Sequence, residues 1–376
     1  MAKRVIIIGG GIMGAVASCC LAQAGHDVAV LEKGELACGA SGGNLGQISL
    51  TDREEPWHAR IVLDSLAEYE RIQKHTPLEY QKTGGIVVLA DDEQIEAAKG
   101  MAEHLKGLGV DVELIVDGGG IAAVEPNLDP AFVRAIAYCP DEGKINPLLA
   151  TLAYFEMAKR AGAKIHPKTT VTGFRLDGGR IASVETDRGD FEADVVVNAA
   201  GAWAGIIGKM LNLEMPIEYH RGSALVSQPI EPVINGPVVG GGFLLKSRLT
   251  QAKCRIGLAA IQAFNGSVIL AQATEESAVD DKTVTSYGLC ATAKNILRFF
   301  PCLKDLEIVR AWAAVTPFTP DGLPLFGFSK TIKNFFTAAG FKGAFSVAPA
   351  VGHKIVEAID EGFVWEGDQF LPDRTI

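Results

Sequence analysis

The sequence predicts an α/β fold that opens on a nucleotide-binding βαβ unit and carries a second, antiparallel sheet. Three observations predict it. Val5, Ile6, Ile7 and Ile8 form a continuous β-branched run, as expected of a strand buried on both faces of a parallel sheet. Glycines follow at 9, 11 and 14, ahead of a small, apolar stretch from Ala15 to Ala24 that reads as a helix closed by Gly25. Asp27 to Leu31 is then a second buried strand, ending at Glu32.

That spacing has a physical purpose. Gly9 makes the tight turn out of the first strand, Gly11 leaves room for a pyrophosphate, and Gly14 lets the helix pack closely on the sheet. Ile12 and Met13 begin the helix, whose free N–H groups and positive dipole end attract phosphate. Glu32 is placed to accept from ribose hydroxyls and to disfavour a 2′-phosphate, so a nucleotide of the NADP type is not expected. NAD and FAD share this unit, and the unit alone does not separate them. Lys3, Arg4, the apolar run and Cys19 also look like a signal peptide with a lipid-attachment cysteine. Such segments do not need glycines at fixed spacing, and the nucleotide reading is preferred.

Length and composition set the frame. The chain has 376 residues, enough for two domains, and it is 48% hydrophobic with 21% charged residues, an ordinary globular mixture. Its formal net charge of −10 argues against nucleic acid as a partner. The seven cysteines include no CxxC pair, which argues against a zinc ribbon, an iron–sulfur cluster or a disulfide framework. A reducing, cytoplasmic setting is expected, with no transmembrane segment, because no run approaches the roughly 20 apolar residues of a spanning helix. No metal site is expected.

Further along, Ala37 to Gln47 is a small, glycine-dense loop containing Gly39, Ala40, Ser41, Gly42, Gly43 and Asn44. Asp194 to Trp203 is a buried strand that ends in the turn Ala199, Ala200, Gly201. Near the end come Arg310 and Trp312, then Thr319 to Gly327, then Ala338 to Phe345 and Ala348 to Ala350. As an ordered set these segments resemble the D-amino-acid oxidase (DAO) family of FAD-dependent oxidoreductases. The nearest branch holds glycine and sarcosine oxidases and the catalytic subunits of opine and proline dehydrogenases.

The resemblance implies a Rossmann-like FAD-binding domain interleaved with an α+β substrate domain built on an antiparallel sheet. The first would take residues 1–80, 143–215 and 312–376, the second 81–142 and 216–311. It implies noncovalent FAD, held by the glycine unit together with Lys33, Ala40, Ser41, Asn44, Gln47, Val171, Ala200 and Gly201. Gly340, Phe341, Lys342, Gly343 and Ala344 would meet the flavin ring. It also implies oxidation of an amine or amino-acid derivative by hydride transfer to flavin, the imine product then being hydrolysed. Two alternatives stand beside it: oxidation of a 2-hydroxy acid on the same fold, and a flavoprotein subunit active only in a multi-subunit electron-transfer complex. A partner subunit or a homo-oligomer fits either reading.

One position departs from the family. Many amino-acid-oxidising members carry an arginine that clamps the substrate carboxylate where this chain has Thr316. A hydroxyl gives one hydrogen bond and no charge, and losing such a partner costs roughly 2–5 kcal/mol. His220 and Arg221 are the preferred replacement pair, with Lys246, Arg248 and Arg255 as further cations. The loop from Gly340 is one residue shorter than usual, and its Lys342 is expected to stabilise charge on the reduced ring or to promote reaction with oxygen.

Between these segments, helices are expected over 93–108, 150–162 and 277–300. A strand is expected over 84–89, a hairpin over 171–185 turning at Asp177, Gly178 and Gly179, and a meander of strands over 213–274.

Overall fold

The structure, a computed structural model, describes residues 1–52, 56–245, 253–362, 365 and 367–374. Two sheets dominate it. The first has six strands in the order Leu325–Phe328, Phe335–Ala339, Val195–Asn198, β1 (Arg4–Ile8), β2 (Asp27–Leu31) and Lys164–His166. All neighbours run parallel except the first pair. β1 pairs with β2 in register, Val5 beside Val28 and Ile8 beside Leu31. Both faces are covered, which is why β1 reads as an unbroken apolar run.

Helix α1 (Ile12–Gln23) follows β1 and is buried on nearly every side. Its small residues permit that burial. A Cβ at Gly14 would stand 2.0 Å from the carbonyl oxygen of Gly9, and one at Gly352 would stand 3.2 Å from that of Val16. The helix Ala344–Glu361 therefore lies almost against the α1 backbone. Pro349 sits inside that helix, and the N–H of Ala350 turns to Ser65 Oγ at 3.2 Å.

The second sheet has eight strands in the order Ile308–Phe318, Glu218–Pro229, Ser267–Glu276, Cys254–Gln262, Val238–Gly240, Gly85–Leu89, Ala135–Cys139 and Glu113–Ile115. Its neighbours are antiparallel except Val238–Gly240 beside Gly85–Leu89. Ile308–Phe318 crosses the boundary expected at 312, because all of it pairs with Glu218–Pro229. By sheet membership the chain changes sides after Phe318. Within 213–274, Val238–Gly240 departs from a simple meander by pairing in parallel with a strand from the first third of the chain.

Local chemistry sets the helix ends. Asp91 caps Asp92–Gly107 by accepting from the Gln94 N–H at 2.9 Å. Asn146 caps Pro147–Arg160, accepting from Leu148 and Leu149 at 3.1 Å each. The helix expected over 277–300 begins only at Ser286, with Thr285 as its cap. Asp281 is the reason: its carboxylate accepts from the Thr283 N–H at 2.8 Å and pairs with Arg221, which holds the preceding turn out of helical form. Gly178 and Gly179 both take positive φ in the hairpin between Val171–Asp177 and Arg180–Thr186. Among the described residues no helix is long and apolar enough to cross a membrane.

Glu125 is a buried acid away from the clefts. Its Oε2 accepts from the Asn235 N–H at 2.8 Å, while Oε1 has no partner. Burial pushes the carboxyl from the ordinary glutamate value of 4.5 up to about 7, against the lowering effect of its backbone hydrogen bonds. Because the folded value is the higher one, the stabilisation is complete below pH 4.5 and is lost as pH rises through 7. Melting temperatures between pH 4.5 and 8 should fall for the wild type, and Glu125→Gln should flatten that part of the curve. At pH 8 the variant should be the more stable by on the order of 2–3 kcal/mol.

Candidate active site

One cleft of about 640 Å³ runs from the glycine turn after β1 to the face of the eight-stranded sheet. That volume lies within the roughly 300–1,000 Å³ usual for ligand and cofactor sites. Its near end is backbone. Gly9 has φ +120°, and a Cβ there would stand 2.4 Å from the carbonyl oxygen of Ala199. Gly9 also donates its N–H to Leu31 O at 2.9 Å, tying the turn to β2. Gly11 caps α1 with no side chain of its own, and Ser41 Oγ accepts from the Ile12 N–H at 2.9 Å.

Glu32 closes this end. Oε2 accepts from the Gly10 N–H at 2.6 Å, and Oε1 from the Gly34 N–H at 2.7 Å. A carboxylate has about four acceptor positions, so two remain for a ribose. Lys33 lays its ammonium 3.6 Å from the centre of the Trp203 ring. Desolvation lowers the pKa of this lysine, with Glu32 acting in the opposite direction.

The cleft brings together most of the residues expected at the cofactor: Gly9, Gly11, Ile12, Met13, Glu32, Lys33, Ala40, Ser41, Asn44, Val171, Ala200, Gly201, Gly340, Phe341, Gly343 and Ala344 all line it. Four expected residues do not. Gly14 is packed beneath the wall, against Gly9. Gln47 pairs with Lys144 in a short antiparallel bridge. The Lys342 ammonium is drawn to Asp52, donating to its carbonyl oxygen at 3.1 Å and lying 3.6 Å from its carboxylate, so it is not presented to the cleft. Arg221 is buried and answered by Glu275 at 2.7 Å and by Asp281. A guanidinium already paired with two carboxylates is not a substrate clamp.

The far end of the cleft is the sheet itself, lined by His220, Gly222, Gln272, Thr274, Thr316 and Phe318. Strand alternation separates His220 from Arg221: adjacent residues face opposite sides, and only His220 faces the cleft. Thr316 is its cross-strand neighbour. The Trp312 indole N–H donates to Gly43 O at 3.1 Å, fastening this sheet to the glycine-dense loop. Lys246 and Arg248 lie outside the described residues.

Glu142 was not marked by any motif. Its Oε1 accepts from the N–H groups of Leu50 and Thr51 at 2.6 and 2.7 Å, and from Thr51 Oγ1 at 2.8 Å. Full burial raises its pKa, opposed by those hydrogen bonds. It anchors the chain that leads out of the glycine-dense loop. An isolated acid in a Pro- and Gly-rich passage carries no spacing signal for that role.

These residues fit a dinucleotide: a glycine turn without side chains, a helix start whose N-cap, Gly11, has no side chain to block it, and an acid with free acceptor positions. The chain matches, over residues 4–358, the family described as DAO, FAD dependent oxidoreductase. The chain belongs to this family. It is 29% identical to glycine oxidase of Pseudomonas aeruginosa, over 87% of this chain and 86% of that one. The crystal structure of L-proline dehydrogenase from P. horikoshii superposes with a TM-score of 0.90 at 29% identity, covering 99% and 97% of the two chains. A hydrogen cyanide synthase subunit, HcnC of Pseudomonas protegens, is 28% identical over 69% of this chain and 59% of its own. The protein is thus an FAD-dependent oxidoreductase.

Gly9→Val should cut the FAD retained through gel filtration roughly tenfold or more, the effect of about 1.4 kcal/mol. Glu32→Ala should weaken FAD binding by roughly 10–100-fold, as loss of hydrogen bonds to a charged group does, while circular dichroism stays unchanged.

Proposed function

We propose that the enzyme oxidises a small amine or amino-acid derivative bound between the flavin and the cleft face of the eight-stranded sheet. The observation that carries this reading is the continuity of the cleft, from the glycine turn at Gly9 past Gly340 and Phe341 to His220 and Thr316. The turn after β1, Glu32, Lys33 and Ser41 would hold the dinucleotide, and the segment from Gly340 to Ala344 would border the ring. When bound, FAD supplies a two-electron acceptor for hydride.

The chain's own part is orientation and exclusion of water. Ala314, Gly222 and Thr274 give the substrate a low, small-residue floor, and Phe318 stands edge-on to His220 with ring centres 5.1 Å apart. The amine C–H loses hydride, the nitrogen lone pair forms the C=N bond, and the N–H proton leaves to solvent. Water then adds to the imine, releasing a carbonyl compound and an amine. No strong base is required if the amine binds neutral: the sheet face offers an imidazole, hydroxyls and an amide, and Asp280 and Lys282 line the cleft beside it.

A second reading is favoured by the likeness to HcnC, a subunit by its description. Leu148, Leu149 and Leu152 are all exposed on one end of Pro147–Arg160, a surface compatible with a partner.

Anaerobic mixing of the holoenzyme with glycine, sarcosine, L-proline and 2-hydroxy acids should bleach the flavin only with amines. Bleaching by a hydroxy acid alone would overturn the amine reading, and no bleaching without added lysate protein would favour the subunit reading. His220→Gln should lower kcat/KM roughly tenfold or more with FAD content unchanged.

A further inference from the structure

The cleft face of the large sheet can be followed strand by strand. Register sets Thr316 beside His220 and His220 beside Glu276. In the next row along the same face, Ala314 lies beside Gly222, Gly222 beside Thr274, and Thr274 beside Arg255. A Cβ at Gly222 would meet nothing within 4 Å. This second row is a low floor, and Arg255 continues it just beyond the residues that line the cleft. The arginine spans the intervening strand to bring Nη2 within 3.3 Å of His220 Nδ1.

The two arginines of this region are charged alike but answered differently. Arg221, on the opposite face, meets Glu275 and Asp281. Arg255 is half-buried, and among the described residues no carboxylate pairs with it. An arginine only donates, so in this contact His220 Nδ1 is the acceptor. Its Nε2 lies 3.5 Å from Glu218, whose side chain is exposed. One edge of the guanidinium rests on His220, which leaves its other N–H groups able to receive an anion bidentately. A guanidinium with no ion pair of its own among the described residues, held against a side chain that lines the cleft, is arranged for an acid.

We infer that Arg255 is the carboxylate-binding residue of this enzyme, and that His220 is the positioning residue that aims it. The arginine that the family places at Thr316 is here supplied from across the sheet. The inference rests on the amine-oxidation reading and makes the substrate an amino acid or N-substituted amino acid rather than a simple amine.

The test uses the FAD-loaded enzyme. Acetate, benzoate and L-proline, each against its amide, are titrated while the visible flavin band is followed, and the same compounds are used as reductants or inhibitors of reduction. The wild type should bind acids in preference to amides. Arg255→Met should raise Kd for the acids roughly 30-fold or more, leave the amides unchanged and keep the flavin spectrum of the free enzyme. Arg255→Lys should fall between, since it keeps charge without the fork. In turnover the loss should appear in KM more than in kcat. Equal binding of acids and amides by the wild type, no binding of any acid, or acid binding unaltered in Arg255→Met would each overturn the inference. Failure of all amines to reduce the flavin would instead overturn the amine reading, which makes the two failures distinct.

Discussion

At Gly9 three stretches of backbone meet more closely than any side chain would allow. The turn leaving β1 touches the carbonyl of Ala199 from the central strand, while the first turn of α1 is pressed on the carbonyl of Gly9 through Gly14. The rest of the molecule hangs on this contact. It sets α1 against the sheet, brings the helix start and its dipole to the mouth of the cleft, and leaves a wall of bare backbone where a pyrophosphate can lie. Glu32 completes the wall by holding Gly10 and Gly34 from one carboxylate. A side chain at Gly9 or Gly14 would push apart elements whose packing makes both core and site.

The second sheet depends on the first for its position, not for its shape. The Trp312 indole on Gly43 and the Lys282 ammonium on the carbonyl of Cys38, at 3.1 Å each, fasten the substrate-side strands to the loop beyond Glu32. Glu142, fully buried, gathers the backbone donors of residues 50 and 51 and fixes where that loop departs. The cleft is consequently half made by each sheet, and its chemistry changes along its length. Glycine and one acid stand at the nucleotide end, while an imidazole, hydroxyls and an outlying guanidinium stand at the substrate end.

Charge placement at that substrate end is decided by strand parity. His220 and Arg221 are neighbours in sequence and opposites in space. The buried guanidinium of Arg221 is compensated by Glu275 and Asp281 on the far face, an arrangement that secures the turn before Ser286–Phe299. Thr316 gives the edge strand no cation where it lines the cleft, and the arginine that reaches His220 comes from a strand two places further in.

Much of this was legible in the chain. The β-branched run, the glycine spacing and the terminal Glu32 determined the βαβ unit and its nucleotide end, because those constraints act over a few residues and leave a pattern. The hairpin at Gly178 and the capped helices followed from equally local chemistry. What the tertiary structure alone decided was which side chains meet across strands. Sequence order put His220 with Arg221 and placed Lys342 by the ring, but register turned Arg221 away, Asp52 drew Lys342 aside, and Arg255 came to His220 from a strand 35 residues later. Local pattern carries no record of register between distant strands. For that reason the glycine end of the cleft was legible in the sequence, while which side chains meet at its sheet end was decided only by the fold.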